Sequence, residues 1–352
     1  MQAAHSPELP VAAPPVVSVV VIGRNEGGRL AACLQSIRAM RGDGFETEII
    51  YVDSNSTDGS PERAAAMGVR VIRVQPERPS AALGRNAGWK AATGQFVLFL
   101  DGDTLLHADF VRRALAEFQD PGAAIVWGHR RELAPRQSIY VRVLDLDWIY
   151  PPGNSEFCGG DALVRRDVLQ RVDGFDQSLI AGEEPEMCRR IRSYGYRIAH
   201  IDAPMTQHDL AVNTFRAYWR RAFRAGHAYA EIAARFRSSA DPLWQQESRR
   251  NLLRGGVLLS APLVPLLSAL VLSPPVLYAA LGLQFGLALA LLARTARRCA
   301  WKAEDTLTCW LYAVHSHFQQ LPIFFGQLAQ RRDARRGRQR RLIEYKASSG
   351  NT

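Results

Sequence analysis

Cysteine is scarce, with five residues in 352 (Cys33, Cys158, Cys188, Cys299 and Cys309) and no Cys-x-x-Cys pair among them. An odd count without metal-ligand spacing implies neither a disulfide framework nor a zinc site, and it fits a reducing compartment. Residues 1–15 lack the basic cluster and apolar stretch of a secretory leader, and their Pro and Ala content predicts a disordered lead-in. The glycines between 23 and 28 lack Gly-x-Gly-x-x-Gly spacing, which argues against a dinucleotide oxidoreductase. Charge is absent from two 18-residue runs, 256–273 and 276–293. The front of the chain has no basic excess either. Up to residue 211 there are 23 Lys and Arg against 27 Asp and Glu, whereas from 212 onward there are 21 against 7. A slightly acidic front and a strongly basic back predict two tasks, with the back half facing something anionic.

What is present begins with β-branched residues. Residues 16–22 form a continuous run of that kind, the mark of a buried parallel strand, and a helix follows with Leu30, Cys33, Leu34 and Ile37 on one face. Residues 49–52 predict a second strand, ending in the turn-rich segment 53–60 with Ser60 placed to cap a helix and Pro61 at its first position. A strand over 69–74, a helix carrying Arg85 to Gly88, and the strand Phe96-Val97-Leu98-Phe99-Leu100 complete a doubly wound α/β pattern. Three polar loops, at Arg24-Asn25-Glu26, at 53–58 and at Asp101-Gly102-Asp103, then meet at the carboxyl edge of the sheet, where such folds bind ligands. Paired acids separated by a glycine suit a divalent cation and a phosphate.

These segments, in this order and spacing, resemble the family 2 glycosyltransferases of GT-A fold. The likeness continues through Gly159-Gly160-Asp161, Val172-Asp173-Gly174-Phe175-Asp176, Gly182-Glu183-Glu184-Pro185-Glu186 and Gly195-Tyr196-Arg197, covering roughly 17–210. The resemblance implies a nucleotide-sugar donor. It places Asp53 at the nucleobase, Arg24, Asn25 and Glu26 along the nucleotide, Asp101 at the sugar-nucleotide, and Asp103 on a divalent metal (Mg or Mn) that bridges the diphosphate. Arg85 is expected either to add a guanidinium to the nucleotide or to form a salt bridge, and His208 either to approach the metal or to lie in a surface loop. The family carries its general base in a Glu-Asp pair opening a helix. Here the pair is Glu183-Glu184, so Glu184 aligns with the base, one methylene longer and followed by Pro185. Cap residues only is the other reading of these acids.

The basic half predicts amphipathic juxtamembrane helices over 212–254, with Phe215, Trp219, Ala222, Phe223, Tyr229, Ile232 and Phe236 at helical spacing, a stripe that suits a membrane surface, packing on the catalytic domain, or both. The two uncharged runs meet at Pro274-Pro275 and predict a transmembrane hairpin over 255–293, both ends cytoplasmic because arginines flank it and none lies in its turn. A stripe from Leu307 to Leu321 predicts an interfacial helix within 294–330, ending at Pro322. Seven arginines between 331 and 341 give the tail 331–352 an affinity for anionic membrane lipids rather than for nucleic acid.

The expected architecture is therefore a GT-A domain over 16–211, doubly wound with a mostly parallel sheet, followed by a helical membrane region. The expected function is an inverting, metal-dependent transfer of one sugar to a lipid-linked or glycan acceptor at the cytoplasmic face of the inner membrane. The alternatives are a polyprenyl-phosphate glycosyltransferase and a catalytically silent nucleotide-sugar-binding membrane protein.

Overall fold

The computed structural model describes residues 13–337, apart from 76, 78, 180, 271 and 304. Strands β1 (Val16–Gly23), β2 (Glu46–Asp53), β3 (Arg70–Arg73) and β4 (Phe96–Asp101) alternate with helices α1 (Gly28–Arg38), α2 (Ser60–Ala66) and α3 (Ala81–Ala91). Then come β5 (Thr104–Leu106), α4 (Phe110–Glu117), β6 (Ala123–Glu132), α5 (Ile139–Asp145), a 3-10 turn at Leu146–Trp148, β7 (Gly153–Ser155), β8 (Ala162–Arg165), α6 (Arg166–Val172), α7 (Glu183–Ser193) and β9 (Arg197–His208). The strand order is β3-β2-β1-β4-β8-β6-β9-β5, with β7 on β9.

The first four strands are parallel, as their buried β-branched runs require, and β1 lies fully covered between β2 and β4. The remainder makes the sheet mixed, though six of its nine strands run in one direction. β8 runs antiparallel to both β4 and β6, β9 runs parallel to β6, and β5 and β7 run antiparallel to β9. Register then sets the working edge. Ile22 stands opposite both Val52 and Asp101, and Gly23 stands opposite Asp53, so three strands end level with one another.

The C-terminal part is helical: α8 (Phe215–Arg235), α9 (Gln245–Ser260), α10 (Leu263–Ser268), α11 (Pro274–Cys299), α12 (Thr306–Phe318) and α13 (Gln320–Arg335). Helix α11 has 26 residues and is long and apolar enough to cross a membrane by length and composition. The first limb of the expected hairpin is not one span. It consists of the end of α9, a turn at Ala261-Pro262, and the six-residue α10. Proline explains the break: Pro265 has no N–H to give the Ala261 carbonyl four residues earlier. Gln284 of α11 supplies that donor instead, its Nε2 lying 3.0 Å from the Ala261 oxygen. Leu266, Leu267, Leu270, Leu283 and Phe285 stand mostly exposed on this unit.

Two further expectations shift. Residues 294–299 belong to α11, and Pro322 sits in the first turn of α13, where no N–H donor is required, so it ends nothing. Helix α8 buries Tyr218, Ala222 and Ile232 while leaving Phe215, Arg216 and Arg220 outward, so part of its apolar stripe packs on protein. It crosses α13 at two glycines. A Cβ on Gly226 would stand 2.1 Å from the Ile323 carbonyl oxygen, and one on Gly326 would stand 2.1 Å from that of Phe223. Helix α12 closes over α5 through Arg142 to Asp305 (3.0 Å) and Tyr312 to Asp147 (3.0 Å). Residues 1–12 of the lead-in and 338–352 of the basic tail lie outside the described residues.

Candidate active site

The loop after β1 and the loop after β2 are laced together. Asn25, with φ at 57°, receives the Thr57 N–H on its Oδ1 (2.8 Å), and its own N–H donates to the Ser56 hydroxyl (2.9 Å). The Gly27 N–H donates to Asp58 (2.8 Å). Asp53 is buried, accepting from Tyr51 (3.0 Å) and from the Ser56 N–H (2.9 Å), so its carboxylate builds the loop wall. Arg24 is exposed at the rim, and Glu26 pairs with Arg29 (2.9 Å) while its Cγ would lie 3.1 Å from a Cβ on Gly102. Glycine there lets the third loop close on the first.

At that third loop the two acids diverge. Asp101 keeps about a third of its side chain exposed and accepts from Arg85 at 3.0 Å, and its N–H donates to Asp161 at 3.2 Å. Asp103 is buried beside His208, whose Nε2 lies 3.4 Å from its carboxylate. The other ring nitrogen, Nδ1, is 2.9 Å from Glu132 Oε1, and the second oxygen of Glu132 accepts the Leu210 N–H at 3.0 Å. This arrangement fits a divalent ion. Ligands about 2.1 Å from a small hard cation stand about 3 Å apart, close to the spacing seen, and a carboxylate on the far nitrogen is how ligand histidines are held.

Arg85 does not turn toward the crevice. Its guanidinium is buried between Asp101 and Glu183 (2.9 Å), an interior ion pair and not a surface one. Such a bridge fixes the first turn of α7 against the end of β4. Gly182 precedes this helix with φ at 86°, and a Cβ there would lie 2.3 Å from Ile232 of α8, so only glycine seats the turn.

Glu184 follows and is buried, accepting from the Cys158 N–H (2.7 Å) and from the Cys188 thiol (3.0 Å). Burial pushes its pKa up from the usual carboxylate value, against the pull of those donors. It lines a cavity of about 610 Å³ together with Arg130, Trp148, Tyr150, Tyr229 and Trp244, so residues of α8 and the α8–α9 loop complete the wall. Arg130 stacks over Trp148 at 4.5 Å and pairs with Asp161 at 3.5 Å.

The structure thus gathers Asp101, Asp103, His208, Arg85, Glu183 and Glu184 at one edge, with Asp53, Arg24, Asn25 and Glu26 in the two adjoining loops. Three polar residues of the site carry no expectation from sequence: Glu132, Asp161 and Arg130. Asp161 follows two glycines in a motif, and Glu132 closes a ten-residue strand, but nothing in spacing links either to residues about 40–80 positions away.

Both the sequence and the fold are similar to those of known proteins. A model described as "Glycosyl transferase family 2" matches residues 18–173, and one described as "Glycosyl transferase family group 2" matches 96–294. The pre-mycofactocin glycosyltransferase of Mycobacterium tuberculosis is 27% identical over 241 residues, covering 64% of this chain and 49% of that protein. The chain therefore spans about half the length of that relative. The glycosyltransferase AglE of Haloferax volcanii is 23% identical over 229 residues, covering 62% and 74%. In fold, the mannosyltransferase PcManGT of Pyrobaculum calidifontis, solved with GDP-Man and Mn2+, superposes with a TM-score of 0.63 at 22% identity, covering 92% of this chain and 88% of that one.

Proposed function

The chain belongs to glycosyl transferase family group 2, and from that premise we propose that it moves a single sugar, with inversion, from a nucleotide-sugar to a lipid-linked or glycan acceptor at the cytoplasmic face of a membrane. The observation that carries the reading is the meeting of two sets of acids across Arg85. Asp101 and Asp103 stand on one side, and Glu183 with its neighbour Glu184, which lines an aromatic-walled cavity, stands on the other.

The nucleotide would lie along Arg24–Glu26 and the Asp53 wall. Asp103 and His208 would hold the divalent ion, Mg or Mn, which when bound offsets the charge that develops on the diphosphate leaving group. Glu132 holds His208 through Nδ1, which would leave Nε2, beside Asp103, as the ligand atom. Asp101, anchored by Arg85 and Asp161, faces the donor sugar. The acceptor enters the cavity, where Trp148, Tyr150 and Tyr229 offer faces to sugar rings. Glu184 takes the proton of its hydroxyl as that oxygen attacks the anomeric carbon and the nucleotide diphosphate leaves on the opposite side. Glu183 is committed to Arg85, whereas Glu184 lines the cavity that the acceptor would enter.

Membrane attachment is supported by α11 and by the exposed leucines beside it. Lys302, just past α11, lies 5.6 Å from the Tyr150 ring and donates to the Leu146 carbonyl at 3.1 Å, so the cavity rim adjoins the end of that helix. This nearness favours an acceptor presented from the bilayer surface. The test is nucleotide release from a panel of nucleotide-sugars with Mn2+ and candidate acceptors. A protein that only binds the donor would release none. Glu184→Gln should keep donor affinity while transfer falls by roughly 10²–10⁴-fold, the scale of a positioned acid–base group.

A further inference from the structure

Glu184 is held by sulfur as well as by nitrogen. Cys188 Sγ lies 3.0 Å from its Oε1 and 3.6 Å from Cys158 Sγ, and one donor atom from each of the three residues falls within 4.8 Å of the others. All three side chains are buried, and they come from two stretches, the segment leading into β8 and the first two turns of α7. We propose that Cys158, Cys188 and Glu184 form a site for a thiophilic divalent cation, zinc or cadmium, separate from the hard-ion position at Asp103 and His208, and that filling it removes the base.

The geometry is close to what such an ion needs. Sulfurs bound to zinc at about 2.3 Å in a tetrahedron lie about 3.7–3.8 Å apart, against 3.6 Å here, and the sulfur–oxygen edge must open by about half an ångström. The fourth position is available because Cys158 and Glu184 both line the cavity. The ligand types also separate the two sites. Two thiols and one carboxylate favour zinc or cadmium, while a carboxylate and an imidazole accept Mn2+.

Capture balances simply. The ion binds two sulfurs and one carboxylate oxygen, the two thiol protons leave to solvent, and the cluster carries one net negative charge beside Arg85. Burial pushes the Cys158 thiol up to about 11 and holds that of Cys188 well above its ordinary value, so affinity should rise with pH as those protons become easier to lose. Glu183, Arg85 and Tyr150 interact electrostatically with Glu184, and Arg130, Asp161, Arg192, Tyr229, Asp241 and Glu247 line the same cavity.

The effect on transfer rests on the reading of Glu184 as base, but binding of the ion does not. The experiment titrates Cd2+ into the full-length protein, without a histidine tag, and follows the ultraviolet thiolate-to-cadmium band. One ion per cluster is expected. Cys158→Ser and Cys188→Ser should each weaken it beyond the roughly 10–100-fold typical of outer-shell changes. Glu184→Gln should lower affinity while keeping the band, a check that leaves both thiols in place. Cys299 and Cys309, which share another buried cluster, are the control, and their double serine variant should behave as wild type. Transfer should be lost as this ion binds, with Mn2+-dependent donor binding retained. A missing band, or one indifferent to Cys158, Cys188 and Glu184, overturns the site. A band that forms while Glu184→Gln still transfers leaves the site standing and sinks the base assignment.

Discussion

Glu132 does not face the donor, yet the orientation of His208 depends on it. Replacing it with Gln keeps an oxygen for Nδ1 but removes the charge and turns an amide toward the Leu210 N–H, so affinity for Mn2+ should fall by about 10–100-fold. Asp103→Ala should abolish the Mn2+ enhancement of nucleotide-diphosphate binding altogether, and calorimetry on both variants separates ligand from support. Glu184 makes a prediction in pH. Its folded pKa is raised, so transfer should fall as pH drops through that raised value. The stability consequence has the opposite sense. A carboxyl that binds its proton more tightly when folded destabilises the protein progressively as pH rises above the unfolded value. Glu184→Gln should therefore raise the melting temperature at neutral pH, with the gain vanishing below the ordinary glutamate range. An unchanged melting temperature at neutral pH would mean that the burial is compensated.

Helix α8 shows what sequence periodicity conveys and what it omits. Its apolar stripe was legible, as were β1, β2, β4, the acid pair after β4, and the helix opening at Glu183, because each is a local pattern of hydrophobicity or turn chemistry. The partner of the stripe was not legible, since a basic amphipathic helix reads alike whether it faces lipid or protein. The pairing of β8 with β4 and β6, and of β9 with β6, was hidden for a similar reason: strand direction is set by long-range register and not by composition. Arg85 as an interior bridge and Glu132 behind His208 required contacts 98 and 76 residues apart. The α8–α13 crossing adds a prediction at this scale. Gly226→Leu drives a side chain into the Ile323 backbone, and overpacking of this kind costs about 1–3 kcal/mol or more. Thermal unfolding measures it, and a melt equal to wild type would show that the helices part easily.

Across the molecule, the catalytic sheet and the C-terminal helices share their apolar clusters. Val141, Leu144, Leu210 and Tyr218 are packed by Leu311, Tyr312 and Phe318. The exposed surface is instead concentrated between Val257 and Leu291. Leu266→Glu with Phe285→Glu should shift the protein from the membrane pellet to the supernatant without altering donor binding, and a salt wash should then release what remains on basic residues. Persistence in the pellet after both changes would assign attachment to another face. The bond from Gln284 to the Ala261 carbonyl bears on how this protein is made. A carbonyl without a donor is costly in hydrocarbon, and the one left open by Pro265 waits for a residue synthesised 23 positions later. Under the membrane attachment proposed above, the segment before α11 is thus poorly suited to enter the bilayer alone during translation. It should then insert together with α11 once Gln284 has left the ribosome, and Gln284→Leu should leave nascent chains stalled at the surface, open to protease.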